Sequence, residues 1–121
     1  MNQEFWTMLD DLVRQSDVVI DRPNGSAHPK FPDTIYPVDY GYLQNTTSMD
    51  GEGIDVWVGT APEHTVDAIV CVVDAWKRDS EMKILIDSTS SLLPRSQVCF
   101  QRILCFGIKL DFIGCICMRT E

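Results

Sequence analysis

The chain has 121 residues, 45% of them apolar, a formal net charge of −8 and five cysteines. That length suits one small domain with a core of its own. No apolar run is long and charge-free enough for a membrane helix, and an acid excess without a basic cluster makes nucleic acid and anionic membrane poor partners unless metal ions intervene.

The opening stretch, MNQEFWTMLDD, is acidic and has neither a basic n-region nor a small-residue cleavage site, which gives the expectation of a cytoplasmic protein. An odd cysteine count without an export signal favours reduced thiols. Residues 3–15 predict an amphipathic helix: Phe5, Trp6, Leu9, Leu12 and Val13 recur at helical spacing, with Asp10, Asp11 and Arg14 between them. VVID at 18–21 predicts a short strand, and RPNGSAHPKFPD at 22–33 a loop rich in Pro, Gly, Ser and Asn. IYPVDYGYL at 35–43 is extended, with Tyr36, Val38, Tyr40 and Tyr42 on one face and Asp39 on the other. NTTSMDGEG at 45–53 is a turn. IDVWVG at 54–59 is a strand with Ile54, Val56 and Val58 in one row and Asp55 and Trp57 in the other.

DAIVCVVDAW at 67–76 reads as a strand buried on both faces. EMKILID at 81–87 alternates, with Glu81, Lys83, Leu85 and Asp87 opposite Met82, Ile84 and Ile86. Residues 88–121 differ in kind. They hold 2 acids against 4 bases, where residues 1–87 hold 16 against 6, and they carry four of the five cysteines. A helix near 96–106 and a strand near 110–117 are expected there. The chain thus divides into an N-terminal helix (1–17), a strand-rich body (18–87) and a compositionally distinct tail (88–121). The fold expected is mainly β, a small OB-like barrel with an N-terminal helix. An exposed apolar tail would favour self-association into a homo-oligomer.

The stretch SMDGEGIDVWVG gathers Asp50, Glu52 and Asp55 around two glycines. Asp-Gly is a common turn dipeptide, and spacing alone favours a solvated turn. The competing reading is a magnesium site, because Mg²⁺ takes hard oxygen ligands, needs few from the protein and leaves room for phosphate. An EF-hand does not fit, since the twelfth position from Asp50 is Ala61 rather than Glu. The surroundings favour the metal. Lys30 and three tyrosines precede the acids, and Glu81 and Lys83 follow on one strand face. Acids for metal, lysines for phosphate and tyrosines as hydrogen-bond donors suit metal-dependent phosphoryl transfer. Cys115 and Cys117 form a C-x-C pair without the CxxC partner that a zinc site needs. His28 reads as a loop histidine.

Residues 18–87 resemble the family I soluble inorganic pyrophosphatases. That family carries YP-x-x-YGY followed by D-G-D-P-x-D leading into a strand. Here these are YPVDYGYL and DGEGIDVWVG, in the same order and at similar spacing. The resemblance implies that Asp50, Glu52, Asp55 and Glu81 hold Mg²⁺, and that Lys30, Tyr36 and Lys83 meet the substrate. It implies a catalytic set of Glu52, Asp55, Lys30 and Tyr40, with Asp21 a second-tier acid. The implied reaction is hydrolysis of pyrophosphate by a metal-activated water. Several positions depart from the pattern. Glu52 stands for an aspartate and Gly53 for a proline, Trp76 occupies the place of an acid, and a hairpin with its phosphate-binding arginine is missing. A late Tyr-Lys pair is also missing. Arg22 lies near that arginine in sequence without matching its position. A catalytically weak metal- and phosphate-binding module is therefore the alternative, and a plain interaction domain with surface acids is the third reading.

Overall fold

A computed structural model describes residues 3–30, 32–33, 35–36, 38–60, 64–74, 78–87 and 112–119. The helix expected near 96–106 lies outside them. One helix, α1 (Gln3–Arg14), precedes six strands: β1 (Val18–Arg22), β2 (Asp39–Leu43), β3 (Ile54–Val58), β4 (Val66–Asp74), β5 (Asp79–Ile86) and β6 (Phe112–Met118). They form one sheet in the order β1-β2-β3-β5-β4-β6. All neighbours run antiparallel except β3 and β5, which are parallel.

The mainly β fold with an N-terminal helix is the one expected. The barrel is not closed. Among the described residues β1 and β6 are the two ends of an open sheet. Closing β1 onto β4 would need a free edge on β4, but β5 occupies one edge and β6 pairs along the other from Ala68↔Met118 to Asp74↔Phe112. The compositional break at residue 88 is therefore no boundary for β6, which completes the same sheet.

Strand alternation divides the core by face. On one face α1 lays Trp6, Leu9 and Val13 against Leu43, Val56, Val66, Ile69, Ile84 and Ile86. On the other, Val38, Trp57, Ala68, Val70, Val72 and Leu85 pack together with Tyr40. The two rows read from IDVWVG and from EMKILID separate as expected. β4 departs from the expectation of burial on both faces, because Cys71 and Val73 are exposed.

Asp10 departs further. Its place among polar residues suggests the outer side of the helix, yet it is 6% exposed. Four residues from Trp6 and three from Val13, it falls on the apolar face. Its Oδ1 accepts the Val66 N–H at 3.0 Å, and both its oxygens accept from the Arg119 guanidinium, at 3.0 and 2.8 Å. Arg119 also donates to the Val66 carbonyl at 3.2 Å and lies 5.9 Å from the centre of the Trp6 ring. One carboxylate thus ties α1, β4 and the residue after β6.

At Gly41 an added Cβ would sit 1.9 Å from the Val19 carbonyl oxygen. Backbone cannot move aside as a flexible side chain can, so β1 crosses β2 this closely only over a glycine. Gly53 is also tight, with a Cβ there 2.9 Å from the Tyr42 ring.

Removing one partner of a buried ion pair leaves the other unpaired. Asp10→Ala is expected to lower stability in urea by about 3 kcal/mol, while the exposed neighbour Asp11→Ala changes it by no more than about 0.5 kcal/mol. Gly41→Ala is expected to destabilise by about 1–3 kcal/mol, with the loss seen first as faster amide exchange along β1.

Candidate functional site

Register brings the site together. Across the sheet Arg22 pairs with Tyr40, Tyr40 with Trp57, and Trp57 with Leu85, while Tyr42 pairs with Asp55. Directly opposed residues share a face, so Tyr40, Asp55 and Trp57 stand together on the face away from α1. Lys83 and Glu81 join them from β5, two and four residues before Leu85.

Lys83 is the hub. Its side chain is 14% exposed. Its Nζ donates to Asp55 Oδ2 at 2.9 Å and to the Tyr40 hydroxyl at 2.9 Å, and lies 3.5 Å from Glu81 Oε2. It also sits 5.3 Å from the centre of the Tyr40 ring and 5.7 Å from that of Trp57. Burial works against the ammonium, but Tyr40 and Asp55 outweigh it, and the Lys83 pKa moves up. The Tyr40 phenol is pushed up to about 12, first by burial and with Asp55 adding to it against the opposing pull of Lys83. It remains protonated at neutral pH.

The acidic loop is an ordered turn that also reaches the strand. Ser48 N–H donates to the Glu52 carbonyl at 2.7 Å, Gly51 N–H to the Ser48 carbonyl at 3.1 Å, and Glu52 N–H to Asp50 Oδ1 at 2.9 Å. Gly51 takes φ +85°, the left-handed region open to glycine. The loop docks on the start of β5 through Ser80 Oγ and Met49 Sδ, 3.6 Å apart. Hydrogen bonding with the Asp50 carboxyl pushes Glu81 up to about 7, with burial the next cause, and holds Asp50 below its usual value.

The expected residues therefore separate into groups. Asp55, Glu81, Lys83 and Tyr40 are brought together, and Asp50 joins through Glu81. Glu52 is exposed and contributes its backbone N–H to Asp50. Among the described residues no three His, Cys, Asp or Glu side chains are gathered as a metal site. Lys30 is exposed on the 23–33 loop, where its N–H donates to His28 Nδ1 at 3.0 Å. Tyr36 is fully buried, so it supports the site from beneath instead of lining it. Asp21 is exposed on β1.

Tyr36 belongs to a ring series that sequence reading did not assemble. His28 stacks on Tyr36 at 6.2 Å, Tyr36 lies 5.5 Å from Tyr40, and Tyr40 lies 5.5 Å from Trp57. Arg22 is the residue missed. Its guanidinium donates to the Tyr36 hydroxyl and lies 5.4 Å from the Tyr36 ring centre and 5.7 Å from that of Tyr40. Strict alternation would put Arg22 with Ile20 on the α1 face. The register shift between Ile20 and Arg22 turns it to the site face. The alternation VVIDR carries no sign of that shift.

No protein-family model matches the chain, and no curated protein is similar to it in sequence. Among solved structures, an inorganic phosphatase from Anaplasma phagocytophilum is similar at 19% identity over 84% of this chain and 81% of that one, with a TM-score of 0.48. No helix among the described residues is long and apolar enough to cross a membrane.

A phenol whose pKa is higher in the folded chain than in the unfolded one stabilises the fold below the unfolded pKa, near 10. That contribution is lost as pH rises from about 10 through about 12. Tyr40→Phe is therefore expected to flatten the alkaline fall in melting temperature over this interval. A wild-type tyrosinate absorbance titration should show one phenol resisting ionisation to about pH 12.

Proposed function

We propose that the chain hydrolyses pyrophosphate, or a close phosphoanhydride, at the Tyr40–Asp55–Lys83 face with Mg²⁺ as cofactor. The observation that carries the reading is the Lys83 ammonium fixed 2.9 Å from both Asp55 and Tyr40. A buried cation on an aromatic floor beside an acidic loop is a place for phosphate oxygen. The motif resemblance over residues 18–87 supplies the substrate class.

The donor chemistry fits magnesium. Asp50 is the first cause of the raised Glu81 pKa, which puts the two carboxyls near each other, and an ion that keeps most of its waters needs only one or two carboxylates. Asp50 and Glu81 would hold it, with Glu52 and Asp55 at hand. Bound there, it would lower the pKa of a water and neutralise phosphate charge. The remaining work falls to the chain. Lys83 draws in a phosphate oxygen. Tyr40, protonated at neutral pH, accepts from Lys83 and so fixes the ammonium. Asp55 orients the attacking water, and Lys30 meets the substrate from the exposed loop.

The second reading is a metal- and phosphate-binding module with weak turnover. Its support is specific: Asp55 is matched by Lys83, and no three metal-ligating side chains converge among the described residues.

Phosphate release from pyrophosphate with Mg²⁺ separates the two. Turnover in the wild-type chain that falls by at least about a hundredfold in Asp55→Asn supports the hydrolase. Uptake of Mg²⁺ and pyrophosphate without release supports the module. A chain that binds neither and releases nothing overturns both.

A further inference from the structure

We propose that Arg22 is a second anion-binding pole beside the same Tyr40 ring as Lys83, and that the two cations together select a ligand with two linked phosphates over one with a single phosphate. The inference deepens the proposed function and rests on its substrate class.

Four observations lead to Arg22. The first is its unmatched charge. In a chain carrying 18 acids against 10 bases, carboxylates are plentiful. Even so, among the described residues Arg22 has none within ion-pair distance, whereas Lys83 has two and Arg119 has one. The second is its setting. Arg22 is partly buried, and the hydrogen bond it makes is to a neutral phenol, Tyr36. A guanidinium has five N–H donors in a planar fork suited to phosphate, so most of its donor capacity is uncommitted.

The third observation is how it is held. The bulge at Asp21 turns Arg22 onto the site face, and two ring faces with the Tyr36 hydroxyl then fix it there. This geometry limits the rotamer entropy that ligand binding would otherwise cost. The fourth is local potential. His28, stacked on Tyr36, is lowered by burial and then by Arg22 and Lys30 nearby. Arg22 and the exposed Lys30 are thus the charges felt at His28, at this end of the aromatic series. At the other end Lys83 is answered by Asp55 and Glu81. Arg22 and Lys83 lie 5.7 and 5.3 Å from the centre of the same Tyr40 ring. Orthophosphate needs one of these poles, whereas a diphosphate has a charged group for each.

The experiment is calorimetric titration of the full chain, with Mg²⁺ present, by pyrophosphate and separately by orthophosphate. The wild-type chain should prefer pyrophosphate. Arg22→Gln should weaken pyrophosphate by at least about tenfold while changing orthophosphate much less, so that the preference collapses. Arg22→Lys should recover part of it, through charge without the fork. Tyr36→Phe keeps the ring and removes the tether. It should lose a smaller part of the preference, and it stands in if Arg22→Gln fails to fold. Unchanged preference in Arg22→Gln and Tyr36→Phe overturns the inference. Binding that shows the predicted losses in a chain without turnover sustains Arg22 while the hydrolase reading falls. A wild-type chain that binds neither anion overturns both.

Discussion

The site depends on one buried ammonium. An ammonium taken out of water is costly unless charged and polar partners surround it, and Lys83 finds those partners on two other strands. Asp55 comes from β3 and Tyr40 from β2, each at 2.9 Å. These contacts exist in one register only. A slip of β2 by a single residue would turn Tyr40 to the helix face and put Gly41 in its place. The tight crossing at Gly41 opposes the same slip, because any other residue there would meet the Val19 carbonyl. Chemistry and strand pairing therefore constrain one another, and a small open sheet holds a defined site without closing into a barrel.

The distribution of charge over this face explains how an acidic chain could receive a polyanion. The acids are not simply ranged against the ligand. Asp55 answers Lys83 at 2.9 Å, and Glu81 lies 3.5 Å from the same ammonium with its pKa pushed up to about 7 by Asp50 and burial. At the other end of the aromatic series stand Arg22 and the exposed Lys30. A net charge of −8 describes the molecule at long range, where salt screens it within about 10 Å. At short range the arrangement of pairs decides what can bind.

Much of the framework was legible because its signals are local. The helix shows in the spacing of Trp6, Leu9 and Val13, and β3 and β5 in their period of two. The tyrosine segment and the acidic strand each show in their motifs, while their pairing as β2 and β3 does not. Other features were hidden because they arise from relations that a linear reading does not contain. Asp10 reads as polar until the helix is wound and its position between Trp6 and Val13 becomes visible. Arg22 reads as a loop residue until a bulge changes the face it occupies. The strand expected near 110–117 forms as β6, but nothing in the linear sequence says that it pairs along β4 and leaves the sheet open. The acids posed a harder problem, because sequence spacing places Asp50, Glu52 and Asp55 as near neighbours. Once Asp55 enters β3, its side chain turns to Lys83, while Asp50 remains in the turn and meets Glu81.

Among the described residues the tail supplies β6 and Arg119, and these bear on the site through β4. β6 lies along the edge of β4 opposite β5, and β5 carries both Glu81 and Lys83. Arg119, just beyond β6, reaches Asp10 and the Val66 carbonyl, so helix, tail and the start of β4 share one charged joint. That joint lies on the face opposite Lys83. The two faces are coupled through the strands themselves, whose alternate side chains serve the core on one side and the site on the other. Among the described residues the tail thus bears on the site through β4 and not by direct contact.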